Sequence, residues 1–372
     1  MGEARAIEQG RPLGLAVLGA GRIGQVHAAA AAALPDIELR WVQDAVPAAA
    51  ERVAAANGAR AAGTLEEVLA DDGVDAVVVG TPTPTHLEFI ERVVETGRRV
   101  LCEKPLHLDL ASVDAAARRL GPAAARVMVG FNRRFDPDFA ELRRRMGGAE
   151  AGEIGRIEQV VITSRDPAPP PQEYLAVSGG IFRDMTIHDF DMARNLVGEI
   201  VSVSASGGAL FDDGARAVGD LDTAMTTLTS ASGVQVLIVN SRHSASGYDQ
   251  RIEVFGQDGT LRVENHRTSR VRLDTAAGTD QGSAWEEFFL TRYESAYRAE
   301  LQSFVTAARE GLPFSPGFDD GRQALALAVA AQRSLEEGRV VTVNEVDPAA
   351  EVDAPSELDA AGPIPLTREA HV

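Results

Sequence analysis

Over the first third of the chain, short apolar runs alternate with longer stretches in which apolar residues recur every three or four positions. Leu13–Leu18, Ile37–Gln43, Ala76–Val79, Arg99–Glu103 and Arg126–Phe131 read as strands. Ile23–Ala33, Pro47–Asn57, His86–Thr96 and Ser112–Leu120 read as the helices between them, with Pro47 at a helix start and Asn57-Gly58 and Gly97 at helix ends. Strands separated by helices of about 10–15 residues predict βαβ units and a parallel sheet.

After Phe131 the period changes. Ile157–Ser164 alternates apolar and polar residues, Arg165–Pro171 is a proline-rich loop expected to be extended, and Gly180–Val197 is predicted helical. Strand-like segments follow at Val201–Ser206, Ala224–Thr229, Val234–Asn240, Ile252–Phe255, Thr260–Val263 and Arg270–Leu273. Tight turns at Ser232-Gly233 and Asp258-Gly259 predict a largely antiparallel sheet, closed by helices over Ala296–Glu310 and Asp320–Glu337. From Asp347 the chain is acidic, rich in Pro and Ala and without periodicity, which predicts a disordered tail. The expected fold class is therefore α/β: a Rossmann dinucleotide-binding domain over residues 1–131, an α/β domain with a large, mostly antiparallel open sheet over 132–346, and the tail 347–372.

Composition narrows the function. With 372 residues, 45% hydrophobic and 24% charged, the chain is long enough for two domains with real cores. No stretch approaches the ~20 apolar residues a bilayer span needs, and Met1–Pro12 lacks the basic-then-apolar order of a secretory signal. The single cysteine, Cys102, cannot form an internal disulfide and reads as a buried small hydrophobe, which fits a reducing cytoplasm. A formal charge of −19 argues against nucleic acid as a partner. It leaves a dinucleotide possible, because backbone N–H groups can hold a pyrophosphate.

Gly19-Ala20-Gly21-Arg22-Ile23-Gly24 falls between a predicted strand and a predicted helix. Gly19 permits a tight turn, Gly21 lets the backbone approach a pyrophosphate, and Gly24 allows close helix–strand packing. The hexapeptide alone is weak evidence. Asp44, ending the second strand, strengthens it: a carboxylate there accepts both ribose hydroxyls and repels a 2′-phosphate. Ala45 and Val46 add no cation, so NAD is expected in preference to NADP. The plainer use of Asp44 is as a helix-flanking cap.

Of the 36 Lys and Arg residues, only Lys104 is lysine. A chain that writes its other cations as Arg keeps one amine, a compact donor whose pKa shifts readily on burial. Asp184, His188 and Asp191 form a second constellation, at i, i+4 and i+7 of the predicted helix and so on one face. A solvated face is the plain alternative. The chemistry such residues can carry is proton transfer, with a neutral His as base, a carboxylate one turn away to hold its tautomer, and a Lys to bind the same oxygen. One His and two carboxylates also resemble a divalent-ion set, but with a hydride acceptor implied upstream no metal is expected.

The sequence resembles the Gfo/Idh/MocA oxidoreductase family, and within it the members that oxidise inositols, over roughly residues 13–345. The resemblance is carried by Gly19–Gly24, Glu103-Lys104-Pro105, Gly130–Asp136, Arg165-Asp166-Pro167 and, above all, Gly179–Asp191. It implies that Lys104, Asp184 and His188 are the catalytic lysine, aspartate and histidine. It further implies cofactor contacts from Gly19, Gly21, Arg22, Ile23, Gly24, Asp44, Glu103 and Lys104, with Thr81, Pro82 and His86 beside the nicotinamide half. Polyol contacts are implied for Asn132, Arg133, Asp191, Tyr248 and Tyr297. His86 reads equally as a satisfied helix-start histidine, and Tyr297 as a core-facing aromatic.

The implied activity is NAD-dependent oxidation of a secondary cyclitol hydroxyl, of the myo-inositol to 2-keto-myo-inositol type, in inositol catabolism, by a homotetramer built through the open sheet face. The alternatives are an NAD(P)-dependent sugar dehydrogenase acting on scyllo-inositol or an aldose, a non-catalytic sugar- or nucleotide-sensing module, and a metal-dependent sugar isomerase or lyase. The tail from Asp347 is not required by the family pattern.

Overall fold

The computed structural model describes residues 4–8, 10–147 and 152–347. Six strands, β1 (Leu13–Leu18), β2 (Ile37–Gln43), β3 (Arg60–Ala62), β4 (Ala76–Val79), β5 (Arg99–Glu103) and β6 (Val127–Gly130), form one sheet in the order β3-β2-β1-β4-β5-β6. All its pairings are parallel. Helices α1 (Arg22–Ala32), α2 (Pro47–Ala56), α3 (Leu65–Leu69), α4 (His86–Glu95) and α5 (Leu110–Leu120) make the crossovers. Every residue of β1, β4 and β6 is buried, which is why these strands are continuously apolar rather than alternating. The strand order is that of a Rossmann unit, and it reverses between β1 and β4, opening a crevice at the carboxyl ends of the strands. The sequence reading does not include β3, whose three residues are too few to show a period.

Helix α6 (Pro137–Arg145) is also absent from that reading; Asp136 caps it, accepting from the Asp138 and Phe139 amides. The second sheet begins with β7 (Ile157–Arg165), followed by α7 (Gln172–Leu175), a π-helical turn over Phe182–Thr186 and α8 (Ile187–Val197). Then come β8 (Ile200–Gly208), α9 (Asp213–Ala217), β9 (Thr223–Ser230), β10 (Gln235–Ser241), β11 (Asp249–Gly256) and β12 (Gly259–Val263). The next elements are β13 (Arg272–Thr275), β14 (Gly278–Gly282), α10 (Phe289–Arg292), α11 (Glu294–Glu310), α12 (Phe318–Glu337) and β15 (Val341–Thr342). The seven-stranded order is β12-β11-β7-β10-β9-β8-β15. The sheet is antiparallel except between β7 and β10, where Val160 opposes Val236 and Ile162 opposes Ile238. The strand expected over Arg270–Leu273 does not join it. β13 pairs only with β14, and all four β13 residues are exposed, its single apolar side chain, Leu273, among them, so the hairpin buries no apolar face against the sheet.

The last two helices return to the first sheet. Leu301, Phe304, Val305 and Ala308 of α11 pack with Leu15, Val17 and Val78, while Ala296 and Tyr297 belong to the core of the second sheet. Along α12, Phe318, Ala324 and Leu325 pack with Val100, Leu106 and Val129, and Leu327, Ala328 and Ala331 pack with Val203 and Leu228. The fit is close at Gly321, where a Cβ would meet Leu106 Cδ1 at 2.8 Å. The expected tail lies outside the described residues, except for Asp347 itself, whose buried carboxylate takes both Nη groups of Arg322. No described helix is long and apolar enough to cross a membrane.

Because Phe304 is fully buried where α11 meets the first sheet, Phe304→Ala is expected to lower unfolding stability by about 3–5 kcal/mol. Urea titration followed by fluorescence reads this; a loss well under that range would mean α11 does not bind the two layers together.

Candidate active site

The loops leaving the carboxyl ends of β1, β2, β4, β5 and β6 carry Gly19–Gly24, Asp44, Thr81-Pro82, Lys104 and Asn132 in turn, so one edge of the sheet collects residues distant in sequence. The glycine turn is tight for a steric reason. Gly19 has φ +94°, and a Cβ on it would meet the Gly80 carbonyl oxygen at 2.5 Å; one on Gly24 would meet the Gly19 oxygen at 1.8 Å. At Gly21 a Cβ would meet nothing within 4 Å, so the outer side of the turn is open at the N-terminus of α1. The Asp44 carboxylate accepts from the Ala20 amide at 2.6 Å and the Val46 amide at 2.8 Å, tying the turn to the end of β2. Open backbone amides at a helix start, with a carboxylate one strand away, fit a dinucleotide whose pyrophosphate lies on the turn and whose ribose lies by Asp44. Arg22 is exposed at the start of α1 and Ile23 is partly buried behind it.

Three residues expected at the cofactor have other partners. His86 is buried, its Nδ1 lying 2.8 Å from the Pro105 carbonyl and its Nε2 2.8 Å from the Thr81 carbonyl, so it braces the β4 loop against the β5 loop. Burial pushes its pKa below the ordinary value. The Glu103 carboxylate turns to His27 Nε2 at 2.6 Å. Thr81 Oγ1 hydrogen-bonds Thr85 Oγ1 at 2.7 Å.

Opposite this edge, Gly179 and Gly180 both take φ +84° and launch the π-helical turn. The predicted helix is thus π-helical where it carries Asp184 and α-helical where it carries His188 and Asp191. Lys104 Nζ donates to the Asp184 carbonyl at 2.8 Å and lies 3.7 Å from its Oδ1. The Tyr174 hydroxyl donates to Oδ1 at 2.8 Å and Arg242 Nη1 to Oδ2 at 3.1 Å. Burial alone would raise the Asp184 carboxyl, but Lys104, Arg242 and Tyr174 hold it below the usual range. Arg242 is in turn held by Asp220 at 3.2 Å, whose other oxygen accepts from the Ile181 amide at 2.9 Å. Burial, then the charges of Lys104 and Arg133, push His188 well below 6.5. Its Nδ1 is buried with no partner among the described residues, and its ring lies edge-on to Phe131, 6.1 Å between centroids.

The remaining expected contacts divide. Asn132 is buried, and its Nδ2 has no partner among the described residues, a donor available to a ligand. Arg133 is locked by Asp189 at 2.5 Å and Ser164 at 2.9 Å, and Asp189 also takes Asn240 Nδ2 at 2.7 Å. Tyr248 is buried edge-on to Phe288 and Tyr293, close enough to Arg133 to feel its charge. Tyr297 packs edge-on to His27 instead, 5.5 Å between centroids. Asp191 does not share its partners with Asp184: Arg134 captures both its oxygens, at 2.8 and 2.6 Å, and also reaches Asp320 at 2.9 Å, fastening α8 to α12. Its one-face placement with Asp184 and His188 therefore gives way to a structural ion pair.

The sequence reading missed Asp166, Tyr174 and Arg242. Asp166 faces Asp184, Arg242, Arg133 and Lys104, and burial followed by the Asp184 charge pushes it up to about 6. Its only signal was the Arg165-Asp166-Pro167 segment; Arg242 had none, being one arginine among many. Among the described residues, no group of three or more His, Cys, Asp or Glu is arranged to hold a metal ion.

A glycine turn on a Rossmann sheet, faced by an amine, an imidazole and a carboxylate, defines a pyridine-nucleotide oxidoreductase. Residues 13–131 match the family model described as "Oxidoreductase family, NAD-binding Rossmann fold", and residues 144–262 match "GFO/IDH/MocA C-terminal domain". The chain is 47% identical over 328 residues to an inositol 2-dehydrogenase of Rhizobium meliloti (strain 1021), covering 88% of this chain and 98% of that protein. It superimposes with a TM-score of 0.87 on the crystal structure of a myo-inositol dehydrogenase from Corynebacterium glutamicum, 49% identical, covering 90% of this chain and 99% of that one. A scyllo-inositol dehydrogenase from Lactobacillus casei, solved with bound NAD(H) and scyllo-inositol, superimposes at 0.80 with 26% identity, covering 90% and 99%. The chain belongs to the Gfo/Idh/MocA family of NAD-binding oxidoreductases.

Asp44→Ala removes the tie to Ala20 together with the carboxylate expected at the ribose. NAD affinity is expected to fall about tenfold or more, with weaker discrimination against NADP, read by cofactor titration. An unchanged NAD/NADP preference would remove Asp44 from the adenosine end.

Proposed function

We propose that the chain oxidises a secondary hydroxyl of a cyclitol, of the myo-inositol to 2-keto-myo-inositol type, with NAD as cofactor. The observation that carries this reading is the contact of Lys104, from the first sheet, with Asp184, one helical turn from His188. In it, the Gly19–Gly24 turn and Asp44 hold the dinucleotide, which when bound supplies the hydride acceptor. His188, kept neutral by burial and by Lys104 and Arg133, takes the proton of the reacting hydroxyl. Lys104 donates to that oxygen as negative charge develops. Asp184 accepts from a hydroxyl and orients the ring, and Asn132 offers its free Nδ2.

The charges in the cleft cancel locally: Arg133 against Asp189, Arg242 against Asp184 and Asp220. Such a site offers hydrogen bonds but little net ionic pull, which suits an uncharged polyol. Hydrogen-bond recognition rejects substrates lacking a hydroxyl better than it separates epimers, so scyllo-inositol and aldoses are the second reading. Purified enzyme with NAD and a panel of inositols, glucose and galactose, followed by NADH absorbance, tests both. NAD binding without turnover of any polyol would favour a sensing module, and turnover abolished by chelator would favour a metal-dependent route.

The same reading gives a cytoplasmic enzyme of inositol catabolism, assembled as a homotetramer through the open face of the second sheet. Val161, Met225, Leu237, Val239 and Phe255 lie on that face, Met225 and Phe255 being 47% and 43% exposed. Light scattering reads the assembly directly.

Lys104→Arg preserves the cation but not the compact amine, and turnover is expected to fall roughly 10²-fold or more; near-normal turnover would refute the role given to the amine. A base works unprotonated, so a lowered His188 pKa keeps it active to lower pH. The acid limb of kcat/KM is therefore expected below the ordinary histidine value of 6.5. A limb at or above that value would exclude His188 as the base.

A further inference from the structure

One residue before Lys104, the Glu103 carboxylate is buried 2.6 Å from Nε2 of His27, which is also fully buried. Glu103 lies opposite Gly130 in the β5–β6 register, and a Cβ at Gly130 would stand 3.1 Å from its carboxyl carbon, so glycine leaves room for the group. From α11, Glu300 enters the same interior with no solvent exposure. Both its oxygens, and Nδ1 of His27, are without hydrogen-bond partners among the described residues. Tyr297, one turn earlier on α11, lies edge-on to His27. The dehydrogenation chemistry proposed above uses none of His27, Glu300 or the Glu103 carboxylate.

A carboxyl buried without a hydrogen-bond partner, and within reach of another carboxylate's charge, resists ionisation. Burial, then the Glu103 charge, push Glu300 well above the ordinary glutamate value. The groups facing the pair are His27 from α1, His86 from α4, Cys102 from β5 and Tyr297 from α11 itself, with Tyr248, Tyr293 and Arg133 beyond the tyrosine. Among these, no cation is shown paired with Glu300. Glu103 is the last residue of β5 and Lys104 is the first residue beyond it. Anchoring the Glu103 side chain therefore fixes the point from which the chain leaves the strand and delivers Lys104. The helix that does the fixing, α1, is the one that opens at the glycine turn.

We propose that His27, Glu103 and Glu300 form a buried polar cluster that positions Lys104, with Glu300 held as a neutral acid and Glu103 as the hydrogen-bond partner of His27. The cluster couples the seat of the dinucleotide to the amine through two buried side chains. This positioning role rests on the reading of Lys104 given above, whereas the protonation of Glu300 does not.

Two measurements test it separately. Glu300→Gln copies a neutral acid in shape but cannot ionise. An acid whose folded pKa is raised costs stability as pH rises above its unfolded value, because the unfolded chain gives up the proton first. The melting temperature of Glu300→Gln relative to the parent should therefore climb between pH 4.5 and about pH 8; any uniform packing effect of the amide cancels in that comparison. A relative melting temperature that stays level or falls over that interval overturns the neutral-acid assignment. For the positioning role, His27→Leu should lower kcat about tenfold or more with little change in KM for the polyol, and His27→Gln, which can still donate to Glu103, should recover most of it. Unchanged kcat in His27→Leu, or equal losses in both variants, overturns that role. The melting comparison requires no turnover, so failure of the cyclitol reading cannot be mistaken for failure of the cluster.

Discussion

The contact between Lys104 and Asp184 depends on two sheets with unrelated topologies meeting at one edge. Neither partner can find the other from its own sheet. Lys104 follows a strand buried inside the parallel sheet, and Asp184 sits on a π-helical turn near the mixed sheet. What holds them in register is the return of α11 and α12, each of which gives residues to the cores of both sheets. The site is thus set by packing some way from it, and the small residues there, such as Gly321 against Leu106, matter as much as the polar ones.

Around that contact the charges are arranged in closed pairs. Arg133–Asp189, Arg134–Asp191, Arg242–Asp220 and Arg292–Asp136 are all substantially buried. Such pairs gain little over an apolar core, but breaking one leaves a buried charge uncompensated, at a cost of about 3–5 kcal/mol. Their consequence is orientation. Each pair joins two elements, as Arg134 joins α8 to α12 through Asp191 and Asp320. Two buried groups without a partner among the described residues, Asn132 Nδ2 and His188 Nδ1, belong to residues that the proposed chemistry employs.

Much of this was legible in the chain where the signal is local. The Gly19–Gly24 turn reads directly because its steric demands fall within six residues, and Asp44 because strand length fixes its distance from that turn. The alternation in Ile157–Ser164 marks β7, half of whose face is buried. The unread parts depend on the tertiary structure. No sequence period announces a π-helical turn, and Asp191 looks identical to Asp184 until Arg134 arrives from another loop. Arg242 is unremarkable in sequence and acquires meaning only from Asp184, and Asp166 stands in a segment that carries the family resemblance without showing what it faces. The Glu103 side chain, expected at the cofactor, turns instead to a histidine 76 positions away.

The near-total replacement of lysine by arginine also sets what a reagent finds on this protein. An acylating or reductively alkylating probe that reacts with primary amines has one side-chain target, and its Nζ is bonded to a carbonyl within the cleft, with the side chain 17% exposed. Mass added by such a probe, apart from any at the α-amino group, would report the accessibility of that cleft alone, and a ligand shielding the amine would slow the labelling of the whole molecule.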